Sequence, residues 1–186
     1  MLRQAVAATV QRIQKASSHS PQTKFNSNRL LLVGSGVAEP SNEVAAELES
    51  LSVAAESAAT SVLCSSILAG HTSESDDFGD AAIWLGQGAF GKGHEQAVLK
   101  SLGLEGGKVR AISSIELSPK TCIPVTVNAS TSTPELKALS AKLADLQDLH
   151  CFSLEPASGS DVIFSLVGKN ASGWGGLVGI GIWSDE

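Results

Sequence analysis

The sequence predicts an α/β or α+β fold, with a single mixed sheet and about three helices. Short apolar runs of strand length alternate along the chain with segments whose apolar residues recur at helical spacing. Strands and helices are therefore interleaved, which favours packing around one sheet. Hydrophobic residues make up 42% of the 186 residues and charged residues 17%, a composition that supports a buried core and excludes disorder throughout.

Apolar runs bounded by glycine, serine or proline predict seven or eight strands. They fall at residues 29–36, 61–69, 81–85, 108–117, 122–127, 150–154, 161–167 and 177–183. Three further segments predict helices at residues 41–57, 94–102 and 134–149. Ser41 is a suitable N-cap for the first of them, and Thr133 followed by Pro134 marks the start of the last.

The first 29 residues are basic, rich in serine and free of acidic side chains, since Glu39 is the first acid. Leu2, Val6, Val10 and Ile13 share one face of a potential amphipathic helix. This pattern is typical of an organellar transit peptide. We expect a mitochondrial transit peptide at residues 1–29, a single domain at residues 30–186, and a location in the mitochondrial matrix. A basic tail on a cytosolic protein and a chloroplast transit peptide are the alternatives.

The rest of the chain is strongly acidic. Without the five cations of residues 1–29, 8 Lys and Arg remain against 19 Asp and Glu, a net charge of −11. Such a surface repels nucleic-acid phosphates and anionic membranes, so no nucleic-acid partner is expected. Every apolar run is shorter than the ~20 residues that span a bilayer, so no membrane insertion is expected either.

The three cysteines, Cys64, Cys122 and Cys151, are widely spaced and match neither a CxxC pair nor a zinc-site spacing. The acidic segment 71–80 does not match a calcium loop. We therefore predict no metal site. Cys64 and His71 are candidates for a nucleophile and its base, but a buried inert thiol is the commoner situation. No catalytic residue and no cofactor are predicted, and a binding function is favoured over an enzyme.

The glycine loop at residues 86–93 partly matches two phosphate-binding patterns. It resembles a Walker A loop, but Gly93 occupies the position that supplies a hydroxyl to magnesium. It also matches G-x-G-x-x-G, without the acidic residue that completes a dinucleotide site. A tight structural loop is the default interpretation. An enzyme that binds a phosphate-containing ligand through this loop is the alternative function.

The order of the first elements resembles a known family. A strand LLLVGSG, a helix EVAAELESL, a strand SVLCSSILAG, an acidic turn and a strand AAIWLGQG follow one another over residues 29–88. This order, together with Leu63-Cys64-Ser65-Ser66, resembles the N-terminal half of FIST domains. The resemblance implies a small-ligand sensor or binding module without catalysis.

A ligand pocket is expected at the carboxyl ends of the first strands, where open α/β sheets commonly bind ligands. The candidate binding residues are Gly34, Ser35, Gly36, Cys64, Ser65, Gly86, Gly88, Gly91 and Lys92. A third interpretation is an accessory subunit of a mitochondrial complex, with a protein partner bound by the glycine-rich C-terminal segment.

Overall fold

The computed structural model describes residues 3–17, 24–25, 30–105 and 107–183. These residues form one seven-stranded mixed sheet in the order β1-β2-β3-β7-β6-β5-β4. The strands are β1 (Lys24–Phe25), β2 (Leu31–Val33), β3 (Ala81–Gly86), β4 (Val109–Ile115), β5 (Gln147–Pro156), β6 (Asp161–Asn170) and β7 (Gly173–Ile182). The helices are α1 (Gln4–Ala16), α2 (Asn42–Ser61), α3 (Glu95–Ser101) and α4 (Pro134–Ala144). The single mixed sheet is confirmed, and its class is α+β.

The sheet is the middle of three layers. Only β2 and β3 are paired in parallel, and all other neighbouring strands are antiparallel. One face of the sheet packs against α1 and α3, and the other packs against α2 and α4. The two predicted caps are confirmed, since Ser41 accepts the Val44 N–H at 3.3 Å and Thr133 accepts the Leu136 N–H at 3.1 Å.

The glycine-rich strand β7 is buried at the centre of the sheet, between β3 and β6. A Cβ on Gly175 would lie 2.8 Å from the Ile83 carbonyl oxygen and 2.9 Å from a Leu48 methyl. On Gly179 it would lie 2.5 Å from Oδ1 of Asp80. Glycine is needed because neighbouring backbone and side chains occupy the space above β7. The C-terminal glycines are therefore core positions rather than an exposed docking segment.

Helix α1 is packed into the core although it lies inside the predicted transit peptide. Val6, Val10 and Ile13 are at most 1% exposed and belong to the same apolar cluster as β3 and β7. The Thr9 hydroxyl donates to the Gly79 carbonyl at 2.5 Å. The sequence boundary at Arg29 therefore does not coincide with a packing boundary. Import and cleavage stay predictions, since the fold does not report on cellular location.

The strand predicted at residues 61–69 is wrong. Helix α2 continues to Ser61 and ends in a reverse turn, where Leu63 has a φ of 61° and the Cys64 N–H donates to the Ala59 carbonyl at 3.0 Å. This bond pattern closes a helix C-terminus, usually with glycine at the position of Leu63. The apolar residues that follow are buried in turns rather than in the sheet.

Two other predicted elements also differ. Residues 122–127 form no strand beyond an isolated bridge between Leu117 and Pro124, and Cys122 has a φ of 58°. Helix α4 ends at Ala144, five residues before the predicted end at 149. The leucine stripe continues past the helix because Leu146 and Leu149 pack against Gly168. Among the described residues, no helix is long and apolar enough to cross a membrane.

The buried position of α1 predicts a large effect of core truncation within the first 29 residues. Ile13→Ala should lower the free energy of unfolding by about 2–5 kcal/mol, because it opens a cavity at a fully buried position. Gln11→Ala, at an exposed position on the same helix, should change it by about 0.5 kcal/mol or less. Urea unfolding of the full chain measures both. Equal, small effects would show that α1 does not contribute to the stable core.

Candidate functional site

An open cleft of about 630 Å³ lies where the glycine loop after β3 faces the beginning of β5. Its volume is in the range of small-molecule sites. The lining residues come from three segments that are far apart in sequence: Gly88, Ala89, Gly91, Lys92, His94, Asp148, Leu149, His150 and Trp174. Three of the predicted binding residues, Gly88, Gly91 and Lys92, therefore belong to one cleft.

Trp174, in strand β7, anchors the glycine loop. Its backbone pairs with Gly86 at the end of β3 and with Lys169 near the end of β6. Its indole N–H donates to the Gly88 carbonyl at 2.9 Å, and its ring meets Phe90 edge-on with centroids 6.4 Å apart. The residue is only 6% exposed. Trp174 is thus a rigid wall of the cleft and not a free stacking platform.

An irregularity in β5 lies next to His150, which is one of the lining residues of the cleft. The β5–β6 register shifts between Gln147 and His150, and Asp148 has a φ of 51°. Such bulges turn side chains away from the regular alternation of a strand, and aspartate tolerates this backbone conformation better than most residues. The His150 Nδ1 lies 3.3 Å from the Asp148 carbonyl oxygen. Because a carbonyl can only accept, Nδ1 is the donor in that contact.

The other ring nitrogen of His150 has no partner among the described residues. The side chain is 8% exposed, and its Nε2 is buried without a hydrogen bond. The ring stacks on Phe152 with centroids 5.6 Å apart and an interplanar angle of 17°, which holds its orientation. An unsatisfied buried polar atom costs about 1–3 kcal/mol. A polar group that enters the cleft could offset this cost.

At the start of α3, the Glu95 side chain accepts a backbone hydrogen bond of the protein itself. Glu95 Oε1 accepts the Gly93 N–H at 3.0 Å, and this bond is the main cause that lowers the pKa of Glu95. Helix α3 has only seven residues and offers no anion site of its own. In the preceding loop, by contrast, no described residue accepts the backbone N–H groups of residues 89–92.

Gly34, Ser35 and Gly86, which are also predicted for the site, have structural contacts at the same end of the sheet. The Gly34 N–H donates to the Trp84 carbonyl and the Ser35 N–H to the Ser101 carbonyl, each at 2.8 Å. A Cβ on Gly86 would lie 2.6 Å from Val37 Cγ1. Gly34, Ser35, Gly36 and Gly86 do not line the cleft. Gly34 joins the end of β2 to β3, Ser35 joins it to α3, and Gly86 lets Val37 pack closely against the end of β3.

Cys64 and Ser65 lie elsewhere. They follow α2 and lie near Asp80, which precedes β3, whereas the glycine loop follows the other end of that strand. Burial raises the pKa of Cys64 to about 12, and the charges of Asp80 and Asp76 add to the shift. His71 binds other groups, with Nε2 2.9 Å from the Val62 carbonyl and Nδ1 accepting the Asn128 N–H at 3.0 Å. No nucleophile–base pair forms.

Asp80 is the centre of a second polar cluster, which is structural. It is fully buried and accepts the Ser66 hydroxyl and the Ile67 N–H, each at 2.6 Å. Its own carbonyl accepts the Ser52 hydroxyl, and Ser52 also accepts a bond from Arg3. These contacts join α1, α2 and the turns after α2 to the start of β3. The part of the chain that the structure describes contains no cluster of three or more potential metal-ligating side chains.

Sequence reasoning missed His94, Asp148 and His150 as cleft residues. The sequence predicts His150 at the start of a strand and Asp148 near the end of the helix at residues 134–149. The bulge that brings these residues to the cleft depends on the pairing of β5 with β6, which no local pattern reveals. No family model, curated protein or solved structure matches the chain. The resemblance to FIST domains thus stays a prediction from the sequence.

The environment of Cys64 predicts an unreactive thiol. Since its pKa is raised to about 12, thiolate is scarce at neutral pH. Iodoacetamide should label Cys64 more slowly at pH 7 than it labels an unperturbed thiol such as free cysteine. The rate should rise about tenfold per pH unit well past pH 9. Peptide mapping by mass spectrometry measures it, and a rate equal to that of free cysteine would contradict the assigned environment.

The burial of Asp80 predicts a titration near pH 6. Desolvation raises its pKa from 3.8 to about 6, against the opposing hydrogen bonds from Ser66, Ile67 and Leu68. The folded state binds the proton more tightly, so this contribution to stability is present below about pH 4. It is lost as the pH rises through 6 and amounts to about 3 kcal/mol. A carbon-13 NMR titration of the Asp80 carboxyl tests this, and a midpoint below 4 would contradict it.

Proposed function

We propose that this protein is a small-ligand-binding domain without catalysis, and that the ligand enters the cleft between the glycine loop and the start of β5. The proposal includes the FIST-like sensor role and the mitochondrial matrix location expected from the sequence. The single observation that carries the binding site is the unpartnered Nε2 of His150, buried at this cleft. A group that binds there gains a hydrogen bond that the protein alone does not satisfy.

The surroundings of His150 support binding of a small molecule. The cleft of about 630 Å³ is open to solvent and brings side chains of both charges together, with Lys92 on the loop and Asp148 on the bulge. Its walls are held by Trp174 and by the β5–β6 pairing, which limits the ordering cost of binding. These features fit a preformed site with a few polar groups on rigid walls.

The position and pKa of the Cys64 thiol favour a binding role over nucleophilic catalysis. Cys64 lies outside the cleft, its pKa is raised to about 12, and His71 binds other groups. Within the cleft, the lining residues include no cysteine, serine or threonine. The cleft thus contains groups that can bind and orient a ligand but no hydroxyl or thiol nucleophile.

The test is His150→Phe, which retains a stacked ring and removes both ring nitrogens. A thermal-shift screen of small metabolites on the full chain should give at least one compound that raises the unfolding midpoint. His150→Phe should abolish that shift while the ligand-free protein stays about as stable as the parent, since the lost bond from Nδ1 to the exposed residue Asp148 is offset by removal of the unpaired Nε2.

Ser165→Ala is the matched control. Ser165 Oγ is the other described side-chain atom that is buried without a partner, and Ser165 does not line the cleft. Its removal should also leave the ligand-free protein at least as stable as the parent, but the ligand-induced shift should remain. If no compound shifts the midpoint, or if His150→Phe and Ser165→Ala respond equally to the ligand, the assignment of the cleft is wrong.

A further inference from the structure

We propose that the ligand of this cleft is a phosphorylated small metabolite whose terminal phosphate contacts His150 Nε2, Lys92 and the free N–H groups of the glycine loop. This inference rests on the proposed function and adds the chemical class of the ligand. It does not use the start of α3, where Glu95 accepts the Gly93 N–H just before the helix. It depends on the loop before that helix and on the opposite wall of the cleft.

The donors come from both walls. On the loop side, residues 89–92 have backbone N–H groups that no described residue accepts. Lys92 is exposed and has no ion-pair or hydrogen-bond partner within the described ranges. On the β5 side, Nε2 of His150 is unpartnered. Backbone N–H groups of a glycine loop together with a lysine are donors suited to phosphate oxygens.

The unpartnered nitrogen favours a phosphate over a carboxylate. Because Nδ1 donates to the Asp148 carbonyl, Nε2 is an acceptor in the neutral ring and a donor in the protonated ring. A phosphate monoester has a second pKa near 6, so at neutral pH it presents either an O–H or an O⁻. It can therefore satisfy Nε2 in both states, whereas an ionised carboxylate only accepts.

The size of the cleft favours a metabolite over free phosphate. A volume of about 630 Å³ leaves room for several atoms beyond a single oxyanion. Trp174 is 6% exposed, its ring is contacted by Phe90, and the Lys169 ammonium lies 5.9 Å from the ring centroid. The cleft therefore offers no open aromatic face on which a nucleobase could stack. A small, non-aromatic phosphate ester is the class that fits.

Two charged side chains of the cleft, Asp148 and Lys92, allow the sign of the ligand's charge to be tested by substitution. Asp148 lines the cleft from the start of β5 and Lys92 lines it from the glycine loop, so the Asp148 carboxylate would repel a phosphate and attract a cation. Lys92→Gln and Asp148→Asn each remove one charge of opposite sign. Asparagine also tolerates the positive φ of position 148, so the backbone is preserved. Lys100→Gln, at an exposed position near the end of α3 and outside the cleft, is the matched control.

The experiment is calorimetric titration of the full chain with glycerol phosphate, inorganic phosphate and glycerol. We expect glycerol phosphate to bind more tightly than inorganic phosphate and glycerol not to bind. Lys92→Gln should weaken glycerol phosphate roughly tenfold, since about 1.4 kcal/mol of charge-assisted contact is lost. Asp148→Asn should strengthen it roughly threefold, and Lys100→Gln should change it by less than about twofold.

Three outcomes would overturn the inference. Equal affinity for inorganic phosphate and glycerol phosphate would indicate an oxyanion site and not a metabolite site. The second outcome concerns a compound from the thermal-shift screen whose binding depends on His150. If Asp148→Asn weakens its binding and Lys92→Gln has no effect, the ligand is a cation. The binding function would then stand, but the phosphate class would be wrong. Absence of binding by glycerol phosphate and by every screened compound would reject both.

Discussion

The position of β7 is the constraint on which both the fold and the cleft depend. This strand lies between β3 and β6, and its glycines let the Ile83 carbonyl, Leu48 and the Asp80 carboxylate approach the sheet closely. Near its beginning, Trp174 pairs with the ends of both neighbours and binds the carbonyl of Gly88. The same strand therefore closes the core at one end and positions the glycine loop at the other.

Much of the fold could be predicted from local pattern. The capped helices α2 and α4, strand β3 and the glycine loop have signals within a few residues, such as Ser41 and Thr133 at helix starts. Predictions failed where tertiary contacts override those signals. The sequence predicts a turn at the first half of β7, because its glycines are required only by neighbours that are distant in sequence. It predicts a strand at residues 61–69, because buried turns can be as apolar as strands. The amphipathic face of α1 fits a transit peptide and a core helix equally well.

Only some of the cleft residues could be predicted from the sequence. Gly88, Gly91 and Lys92 were identified because a glycine loop is visible as a motif. His150 and Asp148 were not, because their placement results from a bulge set by the β5–β6 register.

The polar groups near the start of β3 differ in kind from those of the cleft near its end. The Asp80 carboxyl accepts hydrogen bonds from the Ser66 hydroxyl and the Ile67 N–H, whereas His150 has a buried nitrogen without a partner among the described residues. An unpartnered atom at a residue that lines a cleft distinguishes the candidate binding site from the structural polar cluster around Asp80.

The most direct test of this account is a crystal structure of the full chain grown with glycerol phosphate. It should show electron density for the phosphate within hydrogen-bond distance of His150 Nε2, with Trp174 still bound to the Gly88 carbonyl. A structure at saturating ligand in which the cleft is empty, or in which a protein group satisfies His150 Nε2, would contradict it.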